Sequence, residues 1–201
     1  MAEQAVSEKA IESFVHEAEL PISFGQHAAD MNWKVEYLKW SDFVNRLRKV
    51  RRTSETIYEY DRLSKDKKGA VKNGPAFVGG LILGGRRRKE NIDTRSLITL
   101  DVDSPDYHFL MMVDLIIGGH AYVIYSTHSH RSDQQKYRLI ILVNREMTPD
   151  ECSAASRKIA NLIGMTNFDK TTFDVNRLMY LPSCSKDAEP VFIESEGPHL
   201  V

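Results

Sequence analysis

Ser96-Leu97-Ile98-Thr99-Leu100-Asp101-Val102-Asp103 decides how this chain is read, because a run of apolar and β-branched residues that ends in two acids describes a buried strand with a charged tip. Working outward, Ser104-Pro105 signals a turn, and Asp106 to Ile117 suits a helix stopped by Gly118-Gly119. His120–Thr127 (HAYVIYST) alternates as a second strand, and Lys136–Val143 (KYRLIILV) reads as a third. Thr148 caps a helix that runs to about Ile163, with Gly164 at its end. Leu178–Leu181 and Val191–Ile193 are short strand candidates. The order β-α-β-β-α-β is a split βαβ arrangement, so the expected class is α+β: an antiparallel sheet with helices on one face. Many unrelated functions use it, and function has to be argued from residues.

Upstream the pattern changes. Ile11, Phe14, Val15 and Ala18 follow helical spacing with Ser7 as a cap, and Pro21 is expected to end that helix. Residues 24–39 show no sustained period and read as strand or loop. From Ser41, the stripe Phe43, Val44, Leu47 and Val50 predicts a helix with a strongly basic outer face, and Thr53-Ser54-Glu55 predicts the start of another that ends with the Lys65–Lys68 run at Gly69. Residues 73–95 hold Gly79-Gly80, Gly84-Gly85 and Arg86-Arg87-Arg88-Lys89, a combination that suits either a solvated loop or close backbone approach beside a charged ligand. The chain is therefore divided at 95/96: a helical, Gly/Arg-rich subdomain over 1–95 and a sheet with its helices over 96–195, packed as one unit.

Across the 201 residues, 27 Lys+Arg face 28 Asp+Glu, a net charge of -1. That balance is a cancellation: residues 1–45 carry -5, residues 46–95 carry +9, and residues 96–201 carry -5. Cys152 and Cys184 lie in no metal-ligand spacing, which argues against a disulfide scaffold or a zinc module. No Gly-x-x-x-x-Gly-Lys-Ser/Thr phosphate loop is present, and the most apolar stretch, Phe109–Ile117, contains Asp114 and is too short to span a membrane. No secretory signal is expected, and the predicted setting is the cytoplasm.

Asp101 and Asp103 are one residue apart on a strand, so both side chains leave the same face. Two carboxylates that close repel one another unless they share a cation, as in a divalent-metal site. At the end of the next strand Ser126 and His128 likewise share a face. A third acid would complete a site for two metals, and both Asp169 and Asp174 follow an aromatic residue; spacing does not separate them.

The succession Leu100-Asp101-Val102-Asp103, then Ser126-Thr127-His128, then a hydrophobic-Asp element before a strand, resembles the three motifs of the archaeo-eukaryotic primase superfamily. It is most similar to the primase-polymerases of bacteriophage and mobile-element replication proteins. Longer strings carry the resemblance too, among them Arg52–Thr56, Phe77–Gly80, Gly85–Arg87, Lys136–Leu139 and Asp169–Phe173 through Arg177–Ser183, so that it covers roughly residues 27–195. It implies an RRM-like palm. It also implies two Mg²⁺ or Mn²⁺ ions on Asp101, Asp103 and Asp169, with Asp174 in reserve, and a nucleotide contacted by Ser126 and His128.

The triphosphate needs cations. Arg138 is the first choice because guanidinium binds phosphate oxygens in pairs, followed by Lys136 and Arg177. The expected activity is transfer of a nucleotide from an NTP or dNTP to a 3′-hydroxyl on a single-stranded DNA template, with a replicative helicase as partner, fused or separate, in the cytoplasm of a bacterial host. Arg86, Arg87, Arg88, Lys89, Arg51 and Arg52 are the candidates for holding the template. Two other classes compete. A rolling-circle nuclease would use His128-Ser129-His130 with Tyr137 or Tyr180 as nucleophile. A non-catalytic RNA-recognition-like module would need aromatics where the first strand carries acids.

Overall fold

The computed structural model describes His16 and residues 18–200, so the helix expected around Ile11, Phe14 and Val15 lies outside the described residues. At the centre is strand β6 (Ile92–Val102), eleven residues long and buried on both faces over most of its length. It pairs with β8 (Tyr137–Met147), which pairs with β7 (Tyr122–Ser126); β11 (Phe192–Ser195) and β5 (Gly80–Ile82) close the edges, giving the antiparallel order β11-β7-β8-β6-β5. Alternation along β6 divides the core. Ile98, Leu100 and Val102 face α4 (Phe109–Ile117) and α5 (Pro149–Ile163), while Leu97 packs on the opposite layer.

Helix α5 begins where its sequence says it should. Thr148 accepts a hydrogen bond from the Glu151 N–H, the Glu151 carboxylate accepts one from the Thr148 N–H, and Pro149 fits the first turn. It buries Cys152, Ile159, Ala160 and Ile163 against the sheet, and α4 buries Phe109, Val113 and Ile117. Both helices lie on one face, as the β-α-β-β-α pattern predicts.

The other face is covered by a second antiparallel sheet. Its order is β2-β1-β4-β9, from β1 (Leu20–Gly25), β2 (Lys34–Leu38), β4 (Ala76–Val78) and β9 (Met179–Tyr180). Helix α1 (Trp40–Leu47) adds Phe43, Val44 and Leu47 to the core formed by Ile22, Phe77, Leu97, Val123, Tyr125, Ile140 and Met179. A two-residue parallel pairing of β3 (Arg51–Arg52) with β10 (Ser183–Cys184), and the short helices α2 (Ile57–Asp61) and α3 (Lys65–Lys72), lie outside these two sheets.

Several expectations change. The N-terminal part is as much sheet as helix: Pro21 lies in β1, at the end where β4 does not pair, rather than at a helix terminus. Strand β6 starts at Ile92 and β5 joins the same sheet, so the palm begins before residue 96. The edge beside β6 is taken by β5, while β11 pairs with β7 on the far edge and β9 leaves for the other sheet. Helix α3 continues through Gly69 to Lys72 and stops before Asn73-Gly74-Pro75.

The glycine pairs have architectural reasons. A Cβ on Gly80 would sit 2.1 Å from the Thr94 carbonyl oxygen, and one on Gly79 would sit 2.7 Å from Leu97 Cβ, so these residues let β4 and β5 lie against β6. Gly84 and Gly85 turn the chain with φ of 65° and 69°. Among the described residues no helix is long and apolar enough to cross a membrane.

Candidate active site

The face of the palm sheet that carries chemistry is set by register. Asp101 on β6 lies opposite Arg138 on β8, which lies opposite Tyr125 on β7, so the three side chains form a row on the side of the N-terminal sheet. Asp101 is 7% exposed and Arg138 8%. Arg138 Nε lies 3.5 Å from Asp101 Oδ1, and its Nη1 donates to the Tyr180 carbonyl at 3.2 Å. Burial alone would lower the Arg138 pKa, but the Asp101 carboxylate and the neighbouring tyrosines outweigh it and push it up. Tyr125, fully enclosed, has its hydroxyl pKa raised mainly by burial and donates to the Tyr180 carbonyl.

The third acid arrives by a backbone connection. After α5, Phe168 makes an antiparallel bridge with Val102, and the Asp169 N–H donates to the Asp101 carbonyl at 2.9 Å. Thr172 Oγ1 accepts from the Asp101 N–H at 2.7 Å, which pins the same segment a second time. Asp169 and Asp101 then meet on one guanidinium: Arg177 Nη2 lies 2.7 Å from Asp169 Oδ2 and 3.0 Å from Asp101 Oδ2. Burial would raise the Asp169 pKa, but hydrogen bonds from Thr171 N and Oγ1 and the charge of Arg177 hold it below the usual carboxylate range. Asp103 is drawn instead to Lys136, whose Nζ is 3.2 Å away. Asp174 stands apart and half exposed, 3.5 Å from Lys89.

These groups line a cavity of about 280 Å³ that gathers Asp101, Asp103, Asp169, His128, Lys136, Arg138 and Arg177 together with Lys72, Tyr180 and Ser183. Among the described residues no three His, Cys, Asp or Glu side chains are arranged to hold a metal ion. The donor chemistry nevertheless suits one, since two carboxylates converge on a single cationic nitrogen, and hard oxygen donors are what Mg²⁺ and Mn²⁺ take. Arg177 supplies the positive charge at that point of the cavity.

His128 is 4% exposed, and both ring nitrogens are engaged: Nε2 with Glu55 Oε1 at 3.1 Å and Nδ1 with Ser183 Oγ at 3.2 Å. A carboxylate only accepts, so Nε2 carries the proton, and in the neutral ring Nδ1 accepts from Ser183. Burial holds the His128 pKa below the usual histidine range, and Glu55 only partly offsets this. For Glu55 itself burial acts to raise the pKa, but bonds from Thr53, its own backbone N–H and His128 hold it down. The pair is thus a carboxylate beside a neutral imidazole. Neither Glu55 nor Ser183 carries a spacing signal of its own in the sequence; each lies inside one of the strings that carry the family resemblance, Arg52–Thr56 and Arg177–Ser183.

Other sequence candidates fall elsewhere. Ser126 does not line the cavity, because its Oγ accepts from the Val191 N–H and its own N–H donates to the Val191 carbonyl, which ties β7 to the segment before β11. None of the six expected template-binding cations lines the cavity. Arg52 donates to the carbonyls of Lys186 and Ala188, and Arg51 to that of Val71. Arg87 is half-buried, bound to the carbonyls of Asn176 and Ala28; Arg88 faces Glu90 and Lys89 faces Asp174, which leaves Arg86 as the free cation of that run among the described residues. Of the proposed nucleophiles for a rolling-circle nuclease, Tyr137 is buried and stacked on Phe109.

The sequence profile of the VapE N-terminal domain matches residues 5–201, nearly the whole chain. The chain belongs to the VapE N-terminal domain family. The match spans the entire stretch over which the resemblance to primase-polymerases extends. Among solved structures, this domain is similar to the AEP domain of the cyanophage S-2L primase-polymerase, with 11% identity and a TM-score of 0.47 over 90% of this chain and 84% of that one. No curated protein matches the sequence.

Proposed function

We propose that this domain is a primase-polymerase that transfers a nucleotide from an NTP or dNTP to a 3′-hydroxyl on a single-stranded DNA template, in the replication of a phage or mobile element. One observation carries the reading: acids from two distant parts of the chain, Asp101 and Asp103 at the tip of β6 and Asp169 after α5, share one small cavity with the cations Lys72, Lys136, Arg138 and Arg177 and a buried histidine. A cavity of strong charges of both signs is suited to a ligand that brings negative phosphates together with positive metal ions.

In this reading Asp101, Asp169 and Asp103 hold Mg²⁺ or Mn²⁺, which when bound would lower the pKa of the attacking hydroxyl and neutralise charge at the phosphorus. Asp169 is preferred to Asp174 as third acid because it shares Arg177 with Asp101, whereas Asp174 lies against Lys89 outside the cavity. Arg138 and Lys136, and Arg177 once released from the carboxylates, bind triphosphate oxygens. His128 acts through its fixed tautomer, shaping the wall of the nucleotide site between Glu55 and Ser183. A helicase, fused or separate, is the partner such a domain would serve.

Primer extension and de novo synthesis on a single-stranded template, with Mg²⁺ or Mn²⁺, test the proposal. Wild type should incorporate nucleotides only with metal, and Asp101→Ala/Asp103→Ala should fall to background. A wild type that incorporates nothing, or a double variant that matches it, defeats the reading.

A further inference from the structure

Helix α3 is unusual in what it lacks. Its sequence, Lys-Asp-Lys-Lys-Gly-Ala-Val-Lys, buries no side chain, so apolar packing does not account for its place on the surface. Lys65, Lys68 and Lys72 fall at i, i+3 and i+7, one face of the helix, over about 10 Å of its axis. Like charges at these spacings oppose each other, and among the described residues none of Lys65, Lys67, Lys68 and Lys72 is in a salt bridge. None of the four is therefore fixed in a direct ion pair among the described residues, although Lys68 acts on Asp61 at longer range.

The stripe leads somewhere. Lys72 lines the cavity that holds the three acids. Lys68 lines a second cavity of about 710 Å³ with Tyr60 and Arg131, and Ser129 belongs to the walls of both, so the two cavities are neighbours. Of the acids in the outer cavity, Asp61 is paired with Arg131 at 2.7 Å, and its pKa is held down first by that hydrogen bond and further by Lys68; Asp133 also lines that cavity. Aromatic surface accompanies the charge. Lys68 Nζ lies 5.7 Å from the Tyr60 ring, and Tyr58 on α2 is 66% exposed with the Arg62 guanidinium stacked 3.3 Å from its centroid.

We infer that a single strand of nucleic acid runs along the Lys65–Lys68–Lys72 face of α3 and enters the catalytic cavity past Lys72 and Ser129. The chemistry fits a polyanion with unpaired bases: spaced point charges for successive phosphates, and an exposed aromatic with its stacked guanidinium for a base face. This rests on the proposed function only in naming the strand as the template, and it moves the contact from the Arg86–Lys89 run, where Arg87 is tied to backbone carbonyls and Arg88 and Lys89 face acids at the surface, to lysines that make no salt bridge among the described residues.

The test is binding without catalysis. Fluorescence anisotropy of a labelled oligothymidylate, with no nucleotide and no metal, is followed over a range of salt for the wild-type chain, Lys65→Gln/Lys68→Gln/Lys72→Gln, and Arg88→Gln/Lys89→Gln. The lysine variant should bind more weakly and lose about 2 from the slope of log K against log salt, roughly 0.7 for each of three phosphate contacts. The Arg88/Lys89 variant should keep the wild-type slope.

Three results overturn the inference: no binding by the wild type, an unchanged slope in the lysine variant, or a lysine variant that loses affinity for free nucleoside triphosphate but not for the strand. If the wild type incorporates nucleotides and the lysine variant binds DNA normally, the inference fails and the proposed activity stands. If the lysine variant loses binding but no protein incorporates nucleotides, the reverse holds.

Discussion

Arg177 holds two carboxylates that are proposed to hold metal, and replacing it with methionine separates these roles. Arg177→Met keeps much of the apolar stem and removes one nitrogen lying 3.0 Å from Asp101 and 2.7 Å from Asp169. At an effective dielectric constant of about 20, each contact represents roughly 5 kcal/mol of gross attraction. Most of that is offset by the desolvation that pairing requires, and the Arg177 side chain is 30% exposed, so the net loss is about 2 kcal/mol. Asp101 keeps Arg138 and Asp169 keeps its two bonds from Thr171, which limits the damage. For a chain of this size the melting temperature should fall by roughly 4–8 °C.

The second readout goes the other way. With the competing cation gone, Mn²⁺ no longer has to displace a guanidinium, so its affinity, measured by titration calorimetry without nucleotide, should rise by up to about 30-fold, the equivalent of the same 2 kcal/mol. A stable variant with unchanged Mn²⁺ affinity would refute the idea that Arg177 is the internal counter-ion of the acids. A variant that binds Mn²⁺ more weakly would place Arg177 on the side of metal binding rather than against it.

Other outcomes follow from the same geometry. The His128 ring should titrate below the usual histidine range by NMR, and Glu55→Gln should lower it further, because a carboxylate that favours imidazolium is removed; a rise would contradict the assigned pair. Since the folded pKa is depressed, the stability linked to His128 is complete above its unfolded value of about 6.5 and is lost as pH falls through the folded value, which urea denaturation from pH 7.5 to 5 should detect. Gly80→Ala should cost about 2–4 kcal/mol in chemical denaturation, because its Cβ would meet the Thr94 carbonyl rather than a yielding side chain; a loss below about 0.5 kcal/mol would mean the close approach relaxes freely. Asp169→Asn should abolish nucleotide incorporation, whereas Asp174→Asn, which only releases Lys89 at the surface, should retain most of it.

The legible parts of the fold are those whose signals are local. Thr148, Glu151 and Gly164 bound α5 because a capping box and a positive-φ glycine act within a few residues of themselves. β6, β7 and β8 are readable as apolar runs ending in polar tips. β1 is not legible because it is covered by both the palm sheet and its own neighbours, with a burial pattern that hides any alternation, and because Pro21 reads as a terminator when pairing context is unknown. The places of β9 and β11 depend on which distant edge is free, which no local pattern encodes. The site divides in the same way. Asp101 and Asp103 share a face by the period of a strand, but the contacts Arg177–Asp101 and Glu55–His128 span 76 and 73 residues and exist only once two sheets have closed on each other.

The +9 block shows how one sum can hold cations in very different settings. Its charge is real, but folding divides it by side-chain type. Arginines are drawn into the architecture: Arg95 is buried, with bonds to the carbonyls of Gly79 and Val175 and to Thr99; Arg87 and Arg52 each hold two carbonyls; Arg46 and Arg48 pair with Glu36 and Glu194. A planar fork with five donors can satisfy several carbonyl oxygens at once and is weakly hydrated, so it is the cation a fold can bury. An ammonium is a compact, strongly hydrated charge that offers little to a carbonyl lattice, and of the α3 lysines Lys65, Lys67 and Lys72 are exposed and Lys68 is half-buried against Tyr60. In this block, then, several arginines cross-brace the chain, while the lysines of α3 make no salt bridge among the described residues and are those proposed above to meet a ligand. That is why the Arg-rich run, the more conspicuous in the sequence, is the weaker candidate for nucleic acid, and the plain lysine helix beside the acids is the stronger one.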